Sequence, residues 1–331
     1  HRAYKELVRP KSKTVIVAVI DSGIDIGHED LKDNIWVNSD EVPSNGKDDD
    51  NNGYVDDVNG WNFLGESNDE QLEYVRLLAS GDTTNPRFAE AEALLAKERE
   101  STMRSKTQYE SILDQLNTSD AAIADYLKNQ NYTKEDVEGV STTDKTLSRH
   151  LNIIKQSYGF GFESIAAMKK ELNQGLKSLN KRLDCNLNVA FDGRSVVGDN
   201  PNDLSDRDYG NWDVLPKNGR THGTHVSGII AAMRNNGIGM NGVANNVKIM
   251  AIRNTPNGDE YDKDVALAVY YAVDNGAKVI NMSFGKKFSH HSDWVRDAIA
   301  YAAQKDVLIV AGSGNDGKNT DHENYFPNDQ I

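Results

Sequence analysis

Val15-Ile16-Val17-Ala18-Val19-Ile20-Asp21-Ser22-Gly23 is an unbroken apolar, largely β-branched run that stops on an acid and a turn. A run apolar on both faces marks a central strand of a parallel sheet covered by helices on either side. Open α/β sheets place their functional groups at the carboxyl ends of such strands, and Asp21 stands there. Working outward, Val247-Lys248-Ile249-Met250-Ala251-Ile252 reads as a second buried strand. Helical spacing over 262–275 and 294–304 alternates with strand-like runs at 277–283 and 307–312. Strand, helix, strand, helix, strand at these intervals predicts an α/β fold with a mostly parallel, helix-flanked sheet.

A second stretch supplies chemistry. Thr221-His222-Gly223-Thr224-His225-Val226-Ser227-Gly228 begins small and polar and runs on into Ile229-Ile230-Ala231-Ala232. It reads as a helix that presents His222 at its first turn and packs the remainder into a core. Histidine titrates near neutrality, so one at a helix start in a cleft suits proton transfer. Asp21 is the carboxylate that would orient it and hold its tautomer. Asn315, in the glycine-rich turn after the strand at 307–312, is an amide placed to donate to a developing oxyanion.

The acidic segment Asp48-Asp49-Asp50-Asn51-Asn52-Gly53-Tyr54-Val55-Asp56-Asp57 carries oxygen ligands at alternate positions and then a turn glycine. This matches the first half of an EF-hand loop, so a structural Ca2+ is expected on Asp48, Asp50, Asn52, Tyr54 and Asp57. Asn59 stands where that template has a bidentate Glu, which leaves Asp56 or Asp57 to complete the shell. A cluster of carboxylates this dense repels itself without a cation. No organic cofactor is expected.

The 331 residues carry a net charge of −14, an acidic balance that argues against nucleic-acid binding. No apolar run approaches the length of a membrane span. The single cysteine, Cys185, excludes an internal disulfide. Residues 1–12, polar and basic, read as an arm or a short surface helix. The chain begins at His1 and is expected to be a processed or trimmed form. Between the two core segments the texture becomes rich in Ala, Leu, Glu, Lys and Gln, with apolar positions at helical spacing. Leu95, Met103, Tyr109, Ile112 and Leu116 mark one stripe, Leu147, Leu151, Ile154 and Tyr158 a second, and Ile165, Met168, Leu172 and Leu179 a third. Thr133 and the pair Thr143-Asp144 look like helix N-caps. Residues 1–65 are therefore assigned to the first part of the core, 66–205 to an all-α insertion, with Cys185 near its exit, and 206–331 to the second part.

Four motifs now stand in order: Val-Ile-Asp-Ser-Gly-Ile at 19–24, His-Gly-Thr-His-Val-Ser-Gly at 222–228, Asn-Met-Ser-Phe-Gly at 281–285 and Gly-Asn-Asp-Gly at 314–317. Together they resemble the subtilisin family of serine endopeptidases. The resemblance implies a three-layer α/β/α core, with Asp21 as orienting carboxylate, His222 as general base and acid, and Asn315 as oxyanion donor. It implies a structural role for His225. Residues Asn257, Gly258, Asp259 and Glu260 are similar to the family's substrate-pairing strand. Ser283, Phe284 and Gly285, with Gly312, Ser313 and Gly314, are similar to the walls of its primary specificity pocket. The expected partners are a protein or peptide substrate, and a propeptide or inhibitor at the cleft. Asp259 and Glu260 hint at a preference for basic residues upstream of the cut. The resemblance and the calcium loop together suggest a secreted, periplasmic or cell-surface location.

Two departures from the pattern follow. Asp21 and His222 lie 201 residues apart, where about 32 separate the pair in the family archetype. The insertion accounts for the excess and is expected beside the cleft, gating access or docking a partner. Second, no Gly-Thr-Ser nucleophile motif occurs, and no serine follows Ser313. The nucleophile is expected about 65 residues beyond the asparagine, on a C-terminal fragment or segment past Ile331, and the 331 residues alone are expected to be inactive. The alternative is a non-catalytic peptide-binding module using the same cleft.

Overall fold

A computed structural model describes residues 13–315, 317, 319 and 325–327. The arm expected at 1–12 and Asp316 of the glycine-rich turn lie outside the described residues. The chain divides into two compact units, His1–Phe88 with Val189–Ile331, and Ala89–Asn188.

Among the described residues, the first unit is built on a five-stranded parallel sheet of order β2-β3-β1-β4-β5. Its strands are β1 (Val15–Asp21), β2 (Gly60–Asn62), β3 (Val247–Arg253), β4 (Val279–Met282) and β5 (Leu308–Ala311). β1 is central, in register with β3 from Val15 opposite Val247 to Asp21 opposite Arg253, and with β4 from Val17 opposite Val279 to Ile20 opposite Met282. Its side chains alternate between two cores, as the period of two in a strand requires. Ala18 and Ile20 join Met250, Ile252, Ile280 and Met282 under two helices, α7 (Asp262–Asp274) and α8 (Ser292–Gln304). Val17 and Val19 face the opposite layer, with Ile24, Leu31, Ile35, Val214 and Ala231 of α6 (His222–Ala231). Helices thus cover both faces, and the continuous apolar pattern of β1 follows from burial on both sides. Three-residue β2 carries no readable pattern of its own. Gly60 permits it, since a Cβ there would overlap the carbonyl oxygen of Ala251 on β3.

The boundaries 66–205 for the insertion are too wide. Residues 66–88, which include α1 (Glu73–Ser80), and 189–205 belong to the α/β unit. Buried charges hold them there. Arg253 donates to Ser67 O (3.1 Å) and Asn68 Oδ1 (2.8 Å), and Arg194 pairs with Asp264 on α7 (2.6 and 2.8 Å).

The second unit is all-α: α2 (Phe88–Leu127), α3 (Lys134–Glu138), α4 (Lys145–Gly159) and α5 (Ile165–Lys181). Leu116, Ile123, Tyr132, Leu151, Ile154, Tyr158, Ile165 and Met168 form its core. Thr133 makes a full capping box with Asp136. Asp144, rather than Thr143, caps α4, and Ser164 caps α5. Met103, on the long first helix, is half exposed rather than core. Cys185 is half-buried in the turn Arg182–Asn186. Among the described residues no helix is long and apolar enough to cross a membrane.

Candidate active site and acidic loop

Parallel strands end on one edge of the sheet, where Asp21 closes β1 and residues 283–285 and 312–315 follow β4 and β5. Asp21 is the last residue of β1 and only 2% exposed. Its backbone carbonyl accepts N–H bonds from Asn254 (3.0 Å) and Thr255 (3.2 Å), and the Ser22 N–H donates to its Oδ1 at 2.7 Å. His222 opens α6, and its Nδ1 lies 3.0 and 2.9 Å from the two Asp21 oxygens. An ionised carboxylate only accepts, so Nδ1 carries the hydrogen and Nε2 is left with its lone pair. The imidazole is 58% exposed on its outer side. Gly223 makes the approach possible: a Cβ there would stand 3.0 Å from Asp21 Cβ and overlap the Gly23 carbonyl. Thr224 Oγ1 then accepts the Asp25 N–H at 2.9 Å, tying the helix start to the loop after β1. His225 is exposed. Along the helix Ser227 and Ala231 are buried while Ile229 is 45% exposed, so the remainder of α6 is only partly in the core.

Residues 257–259 continue β3 outward and pair with 68–71. The Glu70 N–H donates to Asn257 O (2.9 Å), the Asn257 N–H to Asn68 O (2.9 Å) and the Asp259 N–H to Gln71 O (3.3 Å). That edge is therefore taken by the chain itself.

Asp259 and Glu260 are not the cleft-facing acids that a preference for basic substrates would need. Asp259 Oδ2 accepts the Glu73 N–H at 2.8 Å at the start of α1, and Glu260 is 2% exposed. Both belong to a buried charge cluster. Lys286 pairs with Glu73 and Asp262 (2.9 Å each) and donates to Glu260 O (2.7 Å); Arg76 pairs with Glu73 and donates to Asp259 O and Glu260 O (3.0 Å each). His290 Nδ1 also meets Glu73. Burial pushes the Glu260 carboxyl up to about 7, Lys286 opposing and Asp259 adding to the shift. Burial also raises Glu73, but the charges of Arg76 and Lys286 and the bond to His290 outweigh it and hold that carboxyl well below its ordinary range.

Ser283, Phe284 and Gly285 follow β4, and Gly312, Ser313 and Gly314 follow the adjacent β5, where the Gly312 N–H donates to Met282 O at 3.1 Å. Asn315 comes next, exposed, at the same carboxyl edge as Asp21. Two residues here were absent from the sequence reading. Arg220 is half-buried, with Nη1 3.5 Å from Asn257 Oδ1; burial lowers its pKa against the pull of Asp21 and Asp69. Tyr325 lies against Gly285 and Gly314.

In the acidic loop only part of the expected set converges. Carboxylate oxygens of Glu41, Asp50 and Asp57 lie within 4.8 Å of one another. Asn38 Nδ2 bridges Asp50 and Asp57 (3.0 Å each), Asn52 Nδ2 does the same (3.1 Å each), and the Tyr271 hydroxyl donates to Asp57 at 2.6 Å. Burial raises the Asp57 carboxyl. Glu41 is 6% exposed, its Oε1 accepts the Asp49 N–H at 2.8 Å, and its Oε2 has no hydrogen-bond partner. A buried carboxylate oxygen with no donor fits an oxygen-seeking cation. Asp48 departs from the expected set because its oxygens close the loop on the Asn52 and Gly53 N–H groups (3.1 and 2.8 Å). Asn52 presents its amide N–H to the carboxylates. The Tyr54 ring packs edge-on against Trp61 and Tyr271, centroids 5.0 and 4.9 Å apart, which leaves only its backbone for a ligand. Asp56 is committed to the Asn45 and Gly46 N–H groups, so Asp57 is the residue that joins the cluster. Glu41 precedes the motif, and an acid outside the template carried no signal.

A helix-flanked parallel sheet with a histidine held against a buried carboxylate at its carboxyl edge defines an α/β protein. The family is explicit in the sequence: residues 12–330 match the model of the subtilase family, and the chain belongs to it. It is 40% identical over 134 residues to the thermophilic serine proteinase of Bacillus sp. strain AK1, covering 40% of this chain and 31% of that protein. It is 37% identical over 147 residues to thermitase of Thermoactinomyces vulgaris, covering 42% and 52%. It is also 41% identical over 128 residues to the cell wall-associated protease of Bacillus subtilis strain 168, covering 38% and 12%. The chain thus spans about half or less of the length of these relatives.

Proposed function

We propose that this chain is the Asp–His–Asn portion of a serine endopeptidase that hydrolyses peptide bonds through an acyl-enzyme. The observation that carries the reading is the 2.9–3.0 Å approach of His222 Nδ1 to both oxygens of buried Asp21. With Nδ1–H held, Nε2 takes the proton of a serine hydroxyl as it attacks the carbonyl carbon, then returns it to the leaving amine. Asn315 donates to the oxyanion, a role worth about 10²–10³-fold in rate. The serine comes from a segment beyond Ile331. Support for such a segment is the apolar surface at Ile229, Leu308 and Val310, three exposed positions on α6 and β5. Substrate pairs as an added strand with the free edge at Gly258, its side chain entering between residues 283–285 and 312–314.

Glu41, Asp50 and Asp57 hold a Ca2+, with Tyr54 contributing through its backbone. The ion neutralises the packed carboxylates and braces the loop. A location outside the cytoplasm agrees with the name of the cell wall-associated relative.

The test uses the full-length protein that carries this chain. A fluorophosphonate probe is expected to label it at a serine, with casein hydrolysis lost in His222→Ala. Binding of peptides without label or hydrolysis would establish instead a non-catalytic peptide-binding module.

A further inference from the structure

We propose that Tyr325 plugs the primary specificity pocket and restricts the residue on the acyl side of the cut to glycine, alanine or serine. The inference rests on the reading of 283–285 and 312–314 as the pocket walls.

The geometry lies between two glycines. A Cβ built on Gly285 would overlap Tyr325 Cε1 and stand 2.7 Å from its Cζ. A Cβ built on Gly314 would stand 3.2 Å from Cζ and 3.4 Å from both Cε1 and the hydroxyl oxygen. The same edge of one phenol ring therefore fills the gap between the two walls, excluding any side chain at 285 and leaving only a tight fit for one at 314. Such a gap would otherwise take the flat side chain of a substrate phenylalanine or tyrosine. Here that volume already holds a ring of the same size, and two rings cannot share it.

The plug is pinned. The residue after Tyr325 and the residue after Gly285 exchange both backbone hydrogen bonds: the Lys286 N–H donates to Phe326 O at 2.9 Å, and the Phe326 N–H to Lys286 O at 2.8 Å. Lys286 is itself fixed by its ion pairs to Glu73 and Asp262, 2.9 Å each. Retreat of the ring would require this antiparallel bridge, anchored on a buried lysine, to open. The charge cluster at the base of α1 so acquires a function, since it sets the depth of the pocket through Lys286.

The experiment measures kcat/KM of the full-length protein on one peptide series varied only at the acyl-side residue, from Ala through Leu to Phe. The expected result is a fall of at least about tenfold from Ala to Phe, since even one methylene in an apolar pocket is worth about 10–200-fold. Tyr325→Ala is expected to reverse the order. Tyr325→Val is expected to shift it part of the way, and Tyr325→Phe, which keeps the ring, to retain the preference for small residues. Fluorophosphonate labelling runs in parallel, because a small phosphonyl group makes no demand on this pocket. A labelled protein that prefers Phe, or whose preference Tyr325→Ala and Tyr325→Val leave unmoved, overturns the plug and leaves the endopeptidase standing. A full-length protein that neither labels nor cleaves overturns both.

Discussion

At the residue scale the site depends on charges that the fold holds out of water. Asp21→Asn presents an amide N–H₂ or its oxygen to His222 Nδ1 and favours the wrong tautomer. The expected loss in kcat is about 10⁴-fold, the size seen for this change in other triads, read as casein hydrolysis with folding checked by circular dichroism. Glu260 makes a separate prediction through pH. Its carboxyl, raised by burial to about 7, binds its proton more tightly folded than unfolded. Stability from this group is therefore full below an unfolded pKa of about 4.3 and is lost as pH rises through 7. Glu260→Gln removes the titration, so its Tm is expected to fall less than that of the wild type between pH 5 and pH 8. A wild-type Tm that climbs steadily over that window would contradict the assignment. Asp21 and His222 were legible because each sits at the end of an element whose pattern is local. Glu41 and Tyr325 were not, because each acts on residues that only the path of the chain brings near.

At the scale of elements, the parallel strands were readable where both faces are buried. β1 and β3 show continuous apolar runs for that reason. β5 shows the same run yet exposes Leu308 and Val310, because it is the outer strand of the described sheet. β2 and α1 escaped the reading: the first has three residues, and the second buries Glu73 and Arg76 beside Tyr74 and Val75. Charged residues read as surface in a sequence, and here the pairing of Glu73 with Arg76 permits their burial. Lys286→Ala leaves Glu73 and Asp262 without their shared cation and is expected to cost about 3–5 kcal/mol, measured by urea unfolding. Ser164→Ala removes the cap of α5, where the Ala167 N–H meets Ser164 Oγ at 3.1 Å. Its expected cost is about 1 kcal/mol, since that helix start is partly exposed.

At the scale of the whole molecule, the calcium proposed at Glu41, Asp50 and Asp57 would couple one loop to the stability of the fold. A ligand that binds only the folded state stabilises it by about 2.7 kcal/mol at a hundred times its Kd. Calcium is therefore expected to raise the Tm of the protein and EGTA to reverse the shift. Glu41→Gln, which removes the charge from the unpartnered oxygen, is expected to abolish most of it. A Glu41→Gln protein whose Tm responds to calcium as the wild type does would place the ion elsewhere.

By itself the sequence determined the four long strands of the parallel sheet, the helices between them, the all-α insertion, and the Asp21, His222 and Asn315 motifs. Each is written in residues that are neighbours in the chain, as a period, a cap or a turn. Only the tertiary structure decided which acids of the loop converge, which acids are buried partners, and what fills the space between Gly285 and Gly314. Asp259 and Glu260 look like cleft acids until distant segments close over them: the Asp259 carboxylate accepts the Glu73 N–H, and Glu260 is buried where Arg76 and Lys286 bond its carbonyl. Burial and pairing depend on what the rest of the chain places alongside a side chain, so the chemical character of these groups is a property of the fold.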